Sequence, residues 1–77
     1  MIIKVKGNAI NVTTANTVSD ASLVRIFATN AATITVAGDT NGTFVMAANQ
    51  VEIVEKLPTD TIAASAAVSC TPVSYKG

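Results

Sequence analysis

The sequence has no histidine, no tryptophan and only one cysteine, and each absence excludes a class of chemistry. Without histidine, the chain lacks the side chain that most often serves as a general acid or base near neutral pH. A single thiol cannot form an intrachain disulfide and cannot build a zinc site. Aromatic side chains are also scarce, with two phenylalanines and one tyrosine. The sequence therefore predicts a protein that is not an enzyme and has no disulfide or zinc to stabilise it.

Neither sign of charge is in excess, because five Lys and Arg residues balance five Asp and Glu residues. Nucleic-acid binding depends on neutralising phosphates and normally requires a basic surplus, so we expect no nucleic-acid partner. No apolar run approaches the ~20 residues that cross a bilayer, and no apolar segment follows a basic start. We therefore expect no membrane partner, no transmembrane segment and no signal peptide.

Short runs in which polar and apolar residues alternate occupy much of the chain. Residues 33–37, 43–47 and 50–56 predict three strands of a β-meander with one buried face. Residues 38–42 form the first turn, where two glycines and an Asn-Gly pair tolerate positive φ. Residues 48–49 form the second turn.

The rest of the chain adds further short strands. Residues 2–13 predict a hairpin that turns at Gly7 and Asn8. Residues 22–29 are apolar on both faces, which predicts a central strand covered on both sides. Residues 62–67 predict a loop or a single helical turn. Residues 68–75 return to strand, and Pro72 indicates a bulge or an edge strand.

These elements predict an all-β fold: one domain over residues 1–77, a small antiparallel β-sandwich or barrel of about seven short strands. The inward-facing set of the alternating runs is Ile3, Val5, Ile10, Val12, Val24, Ile26, Ile34, Val36, Phe44, Met46, Val51 and Ile53. Because a core of this size buries little area without large rings, a partner subunit is the remaining source of stability. The outward-facing threonines, such as Thr33, Thr35 and Thr43, leave uncharged β surfaces that could pair with another chain.

No motif predicts a catalytic, cofactor-binding or metal-binding residue. Residues 38–42 superficially resemble a calcium loop, but Asp39 is the only charge there, which favours a hairpin turn. Glu52 and Glu55 are three apart, so on a strand they point to opposite faces and cannot act as a carboxylate pair. Cys70 has no histidine to activate it and is predicted to be a small buried side chain.

Arg25 is the one residue that we single out, because it places a charge in the middle of the most apolar strand. One interpretation is a side chain that extends to solvent or pairs with Asp20, Glu52 or Glu55. The other is an ion pair across a subunit interface, and Arg25 is our predicted interface residue.

Two segments, IKVKGNAINVTTANTVSDASLVRI (residues 3–26) and QVEIVEKLPTDTIAAS (residues 50–65), carry a resemblance to known proteins. The chain resembles small proteins encoded among the virion genes of marine tailed phages, particularly cyanophages. The resemblance implies a virion component, found in the virion or in the host cytoplasm during assembly, with other virion proteins as partners. It implies no catalytic residues.

We therefore expect a non-enzymatic structural or assembly protein, such as a capsid decoration, tail or head-associated component. It should act as a homo-oligomer, and the phage setting favours a trimer or larger ring over a dimer. The alternative is a small binding module for a glycan or for a peptide added along a sheet edge. An exposed Tyr75 beside a groove would favour that alternative.

Overall fold

The computed structural model describes residues 2–39 and 41–76, which form eight β-strands and contain no helix. The strands are β1 (Ile2–Val5), β2 (Ile10–Val12), β3 (Leu23–Ala28), β4 (Ala32–Ala37), β5 (Gly42–Met46), β6 (Gln50–Glu55), β7 (Thr61–Ala64) and β8 (Val68–Lys76).

The strands form two antiparallel sheets. The larger sheet has five strands in the order β1-β8-β3-β6, with β2 beside β8 on the same edge as β1. The smaller sheet has the order β5-β4-β7. Their apolar inner faces pack against each other, as expected for a small β-sandwich. The predicted all-β antiparallel fold is confirmed.

The chain after β2 connects the two sheets along one side. Asn16 and Ile62 exchange backbone hydrogen bonds of 3.0 and 2.8 Å, and the Ala64 N–H donates to the Thr13 carbonyl at 3.0 Å. This segment therefore lies along β7, so β7 has hydrogen-bonded neighbours on both sides. On the other side of the smaller sheet, no described residue pairs with β5 beyond its partner β4.

The core lies between the two sheets and consists of medium-sized aliphatic side chains. Its buried members are Val12, Val18, Val24, Ile26, Ala28, Ala32, Ile34, Met46, Ile62, Val68 and Cys70. Five of the predicted core residues belong to this set: Val12, Val24, Ile26, Ile34 and Met46. Ile10, Val36 and Phe44 are partly buried and pack against it, as predicted.

The predicted meander is wrong after β5, and with it the inward orientation of Val51 and Ile53. Asn49 adopts a φ of 63°, and its N–H donates to the Ala28 carbonyl at 2.7 Å. The chain thus crosses to the larger sheet, where β6 pairs with β3 and Val54 lies opposite the buried Val24. Val54 therefore faces the core, whereas Val51 is 41% exposed on the other side of the strand.

The predicted hairpin of residues 2–13 is also wrong, because β1 and β2 both pair with β8. Val5 lies opposite Val73 and Ile10 lies opposite Cys70. The chain from Val5 to Ile10 is longer than the stretch of β8 from Cys70 to Val73 that it follows, so the extra residues between β1 and β2 form a bulge. Val5 lies on the outer side of the sheet and is 63% exposed, contrary to its predicted place in the core. Ile3 shares that side and is half-buried, outside the core cluster.

Two further predictions about local structure are corrected by pairing between distant strands. Of residues 62–67, predicted as a loop or helical turn, residues 65–67 do lie outside the strands, whereas residues 62–64 belong to β7 because β4 supplies their hydrogen-bond partners. Of the two alternatives predicted at Pro72, a bulge or an edge strand, the edge strand is excluded, since β3 lies on one side of β8 and β1 and β2 on the other. Pro72 occupies the position beside the bulge, where its carbonyl accepts from the Lys6 N–H at 2.9 Å.

The turn between β4 and β5 depends on one glycine rather than on the Asn-Gly pair. Gly38 has a φ of 143°, whereas Asn41 and Gly42 are not among the described residues with positive φ. The Asn41 side chain instead closes the turn, accepting from the Gly38 N–H and donating to the Gly38 carbonyl, both at 3.2 Å.

Candidate self-association surface

The five-stranded sheet has one face in the core and one outer face, on which Val5 and Val51 are 63% and 41% exposed and Val73 is only 3% exposed. Along β3, Val24, Ile26 and Ala28 are buried, so the alternating Leu23, Arg25 and Phe27 point away from the core. β3 is thus covered on one side only, contrary to prediction. Strand register places the following residues on the same outer face: Ile3, Val5, Leu23, Arg25, Phe27, Val51, Ile53, Glu55, Ser69, Thr71 and Val73.

This outer face is mainly apolar. Phe27 lies opposite Val51, and Val5 lies opposite Val73, so the apolar side chains extend across four of the strands. Large exposed apolar patches on soluble proteins commonly mark interaction sites. The outer face therefore has the composition of a contact surface.

Arg25 lies at the middle of the outer face. Its cross-strand neighbours are Ile53 on β6 and Thr71 on β8, and its side chain is half-buried between them. Glu55, opposite Leu23, is its diagonal neighbour on the same face. No hydrogen bond or ion pair joins the Arg25 side chain to another residue within the described ranges.

The suggested intrachain pair of Arg25 with Glu52 is not formed. Glu52 lies on the other face of β6, where its Oε1 accepts from Gln50 Nε2 at 2.8 Å. Glu52 and Glu55 do point to opposite faces, as their spacing predicts. Within the described residues, the guanidinium therefore lies near Ile53 and Thr71 and makes no hydrogen bond.

The smaller sheet presents a different outer surface. Thr33, Thr35 and Thr43 lie on its outward side, together with Val45, which is 72% exposed. This surface carries no charge on the paired strand residues, as the sequence predicts. Its β5 edge is the one on which the described chain places no neighbouring strand.

Two charged side chains, Lys56 and Asp60, are buried at one end of the sandwich, and the sequence predicted the burial of neither. Lys56 is 5% exposed, and its Nζ donates to the carbonyls of Ala21, Leu57 and Pro58 at 2.7, 3.2 and 3.4 Å. Burial lowers the pKa of Lys56, and the nearby carboxylates of Asp60 and Asp20 partly oppose this shift. All three N–H groups of the Lys56 ammonium donate to backbone carbonyls, so Lys56 has a structural role.

Asp60 is fully buried and joins two turns. Its Oδ1 accepts from the Asp39 N–H at 2.9 Å and its Oδ2 accepts from the Leu57 N–H at 3.2 Å. Bonds from an Asp side chain to amides of its own turn are common, but no local sequence pattern indicates that Asp60 reaches the distant β4–β5 turn. No local pattern signals the burial of Lys56, because the carbonyls that it binds belong partly to a distant loop.

Cys70 is fully buried in the core, as predicted. Burial raises the pKa of its thiol from 9.0 to about 11. The thiol is therefore protonated at neutral pH and is a poor nucleophile.

The loop between β2 and β3 contains an unusual left-handed turn that sequence analysis did not detect. Val18, Ser19 and Asp20 have φ values of 54°, 57° and 56°, which is strained for a β-branched residue such as Val18. A cavity of about 200 Å³ lies beside the turn and is lined in part by Lys6 and Ser74. This volume is below the ~300–1,000 Å³ typical of ligand pockets.

Metal sites and membrane-spanning helices are not found in residues 2–39 and 41–76. In these ranges no three His, Cys, Asp or Glu side chains come together as metal ligands. The same ranges contain no helix of the length and apolar character needed to cross a membrane. The side chain of Tyr75, which would bear on glycan binding, lies outside the part of the chain that the structure describes.

Comparison of the chain with protein-family models, with curated proteins and with solved structures finds no match.

Proposed function

We propose that this chain is a non-enzymatic structural or assembly protein that works as a homo-oligomer, and that copies associate through the outer face of the five-stranded sheet. The observation that carries this proposal is the mainly apolar outer face, at whose centre Arg25 has no hydrogen-bond or ion-pair partner among the described residues. The resemblance to marine tailed-phage proteins supports a virion component, such as a capsid decoration, tail or head-associated protein, assembled in the host cytoplasm.

The size of the surface fits a stable contact. The molecule measures 31 × 28 × 19 Å along its principal axes, so its broad side offers on the order of 800 Å². Standard interfaces bury about 800 Å² per partner. Covering the apolar residues around Arg25 would supply hydrophobic burial that a 77-residue domain without disulfide or metal has little of on its own.

The charges on the outer face fit a second copy related by two-fold symmetry. In such an arrangement each contact occurs twice, because residue i of one copy meets residue j of the other and vice versa. Arg25 of one copy would pair with Glu55 of the other, and the reciprocal pair would form at the same time. The contact is then charge-neutral, and Arg25 gains a partner that the described residues of its own chain do not provide.

Charge reversal tests this arrangement, with sedimentation velocity as the measurement of mass. Wild-type protein should be oligomeric at micromolar concentration. Arg25→Glu and Glu55→Arg should each weaken association about 100-fold, since like charges facing each other at an interface cost several kcal/mol. An equimolar mixture of the two variants should associate again, because each reversed charge then meets its opposite on the other chain.

Thr33→Glu is the matched control, since it adds a charge to an exposed position on the opposite sheet and should leave association unchanged. Far-UV circular dichroism confirms that each variant remains folded. A wild-type monomer at these concentrations would overturn the proposed function. If the wild type is oligomeric and both charge-reversal variants associate as tightly as it does, homo-oligomerisation stands, but the outer face of the five-stranded sheet is not the interface.

A further inference from the structure

We infer that the free edge of β5 is a second self-association site, at which two copies pair their β5 strands antiparallel and join their smaller sheets into one. This site lies on the smaller sheet and is separate from the outer face of the larger sheet. It goes beyond the proposed function because it predicts how pairs of subunits would be linked to one another.

The edge is open and lacks the features that normally block strand pairing. β5 bonds to β4 along one side, and no described residue pairs with its other side. Its sequence, GTFVM, contains no lysine, no other charge and no proline, which are the residues that protect natural sheet edges. Unpaired backbone N–H and C=O groups along such an edge are available to another strand.

The lack of charge on β5 favours a second copy of β5 as the occupant. In a two-fold pair each strand meets its own sequence in reverse, so a charged strand would face its own charge. The free edge of β6 carries Glu52 and Glu55 and would repel itself in this way. β5 is uncharged and apolar and has no such penalty, so it is the edge suited to pairing with itself.

Burial of Phe44 supplies an apolar contribution to the same contact. Phe44 is only partly buried although it points towards the core, whereas its cross-strand partner Ile34 is fully buried. The difference arises because β5 is at the edge of the sheet. A two-fold axis perpendicular to the sheet places the two Phe44 rings on the same face of the joined sheet. Each β5 strand then covers the edge of the partner's core at which Phe44 is partly exposed.

The two contacts together have a consequence for symmetry. Two different two-fold contacts on one subunit generate either a closed ring with an even number of subunits or an open filament. Either outcome is a larger assembly than a dimer. The β5 contact therefore offers a physical route to the ring that the sequence led us to expect.

The experiment uses variants that separate the two contacts. Arg25→Glu disables the outer-face contact, so an Arg25→Glu protein should associate as a dimer through β5 alone. Adding Val45→Lys should make this protein monomeric, since a lysine on an edge strand opposes pairing. Thr33→Lys is the matched control, because Thr33 lies opposite Val45 on the same face but one strand inward from the edge.

Hydrogen exchange reports on the edge directly. In the Arg25→Glu protein, exchange of β5 amides should slow at least ~10-fold as the protein concentration rises into the range where the dimer forms. A monomeric Arg25→Glu protein with unprotected β5 amides overturns the inference, while an oligomeric wild type still supports the proposed function. Protection of β5 that requires addition of a separate extended peptide also overturns it and indicates a peptide partner.

Discussion

Gly38 is the position at which the structure predicts the largest effect of a single methyl group. Its φ of 143° lies in a region that residues with a Cβ rarely adopt. A Cβ at this position would overlap Oδ1 of Asp60 and lie 3.0 Å from its Cγ. Gly38→Ala therefore introduces backbone strain and also displaces the carboxylate that holds the two turns together.

The size of the effect follows from these two costs. Backbone strain of this kind costs about 1–3 kcal/mol. Displacing the buried carboxylate weakens its bonds to the amides of Asp39 and Leu57, which adds about 2–3 kcal/mol. The sum, about 3–6 kcal/mol, is comparable with the total stability of about 4–12 kcal/mol that 77 residues provide.

Gly42→Ala is the control within the same hairpin, since a Cβ there meets nothing within 4 Å and requires no positive φ. We expect it to change the free energy of unfolding by less than about 1 kcal/mol. Urea denaturation followed by circular dichroism, at one fixed protein concentration, measures both variants. Equal effects of the two substitutions, or a Gly38→Ala protein as stable as wild type, would refute the reasoning.

Two further predictions concern the buried titratable groups. Lys56→Met removes three hydrogen bonds from the ammonium to backbone carbonyls and should lower the free energy of unfolding at pH 7 by about 2–4 kcal/mol; unchanged stability in urea denaturation would show that the ammonium is solvated. Because the pKa of Cys70 is raised from 9.0 to about 11, the unfolded chain releases this proton first, and stability should fall as pH rises from 9 to 11. The loss should reach about 2–3 kcal/mol relative to Cys70→Ala, in which Lys56 titrates in the same way; parallel pH profiles of the two proteins would contradict it.

The sequence was informative wherever a strand carries one apolar and one polar face. Ile34 in β4 and Met46 in β5 were placed correctly, because alternation across a short hairpin fixes which side faces the core. Alternation was not informative for β6, where Val51 and Ile53 lie on one face and Val54 on the other. Both faces of β6 are partly apolar, so alternation does not determine which face of β6 points to the core. That orientation depends on Asn49, whose positive φ redirects the chain to the other sheet.

Pairing between distant strands was beyond the reach of local patterns. Ala63 and Ala64 have little strand propensity of their own and join β7 because β4 lies beside them. The same limit applies to the candidate surface. The sequence identified Arg25 as an unusual charge, but only the register of β3 with β6 places Glu55 near it and shows that the surrounding side chains are apolar.

The position of β8 in the larger sheet has a consequence for the rate of folding. β8 is the last of the described strands along the chain, yet it lies between β3 on one side and β1 and β2 on the other. The pairing of β1 with β8 joins residues more than seventy positions apart, such as Ile2 and Lys76. Such contacts require large loops to close before any hydrogen bond forms, and domains dominated by them fold in milliseconds to seconds. During that interval β1 and β2 lack a strand partner and β3 is paired only with β6, so the yield of folded protein should depend on how quickly β8 inserts between them.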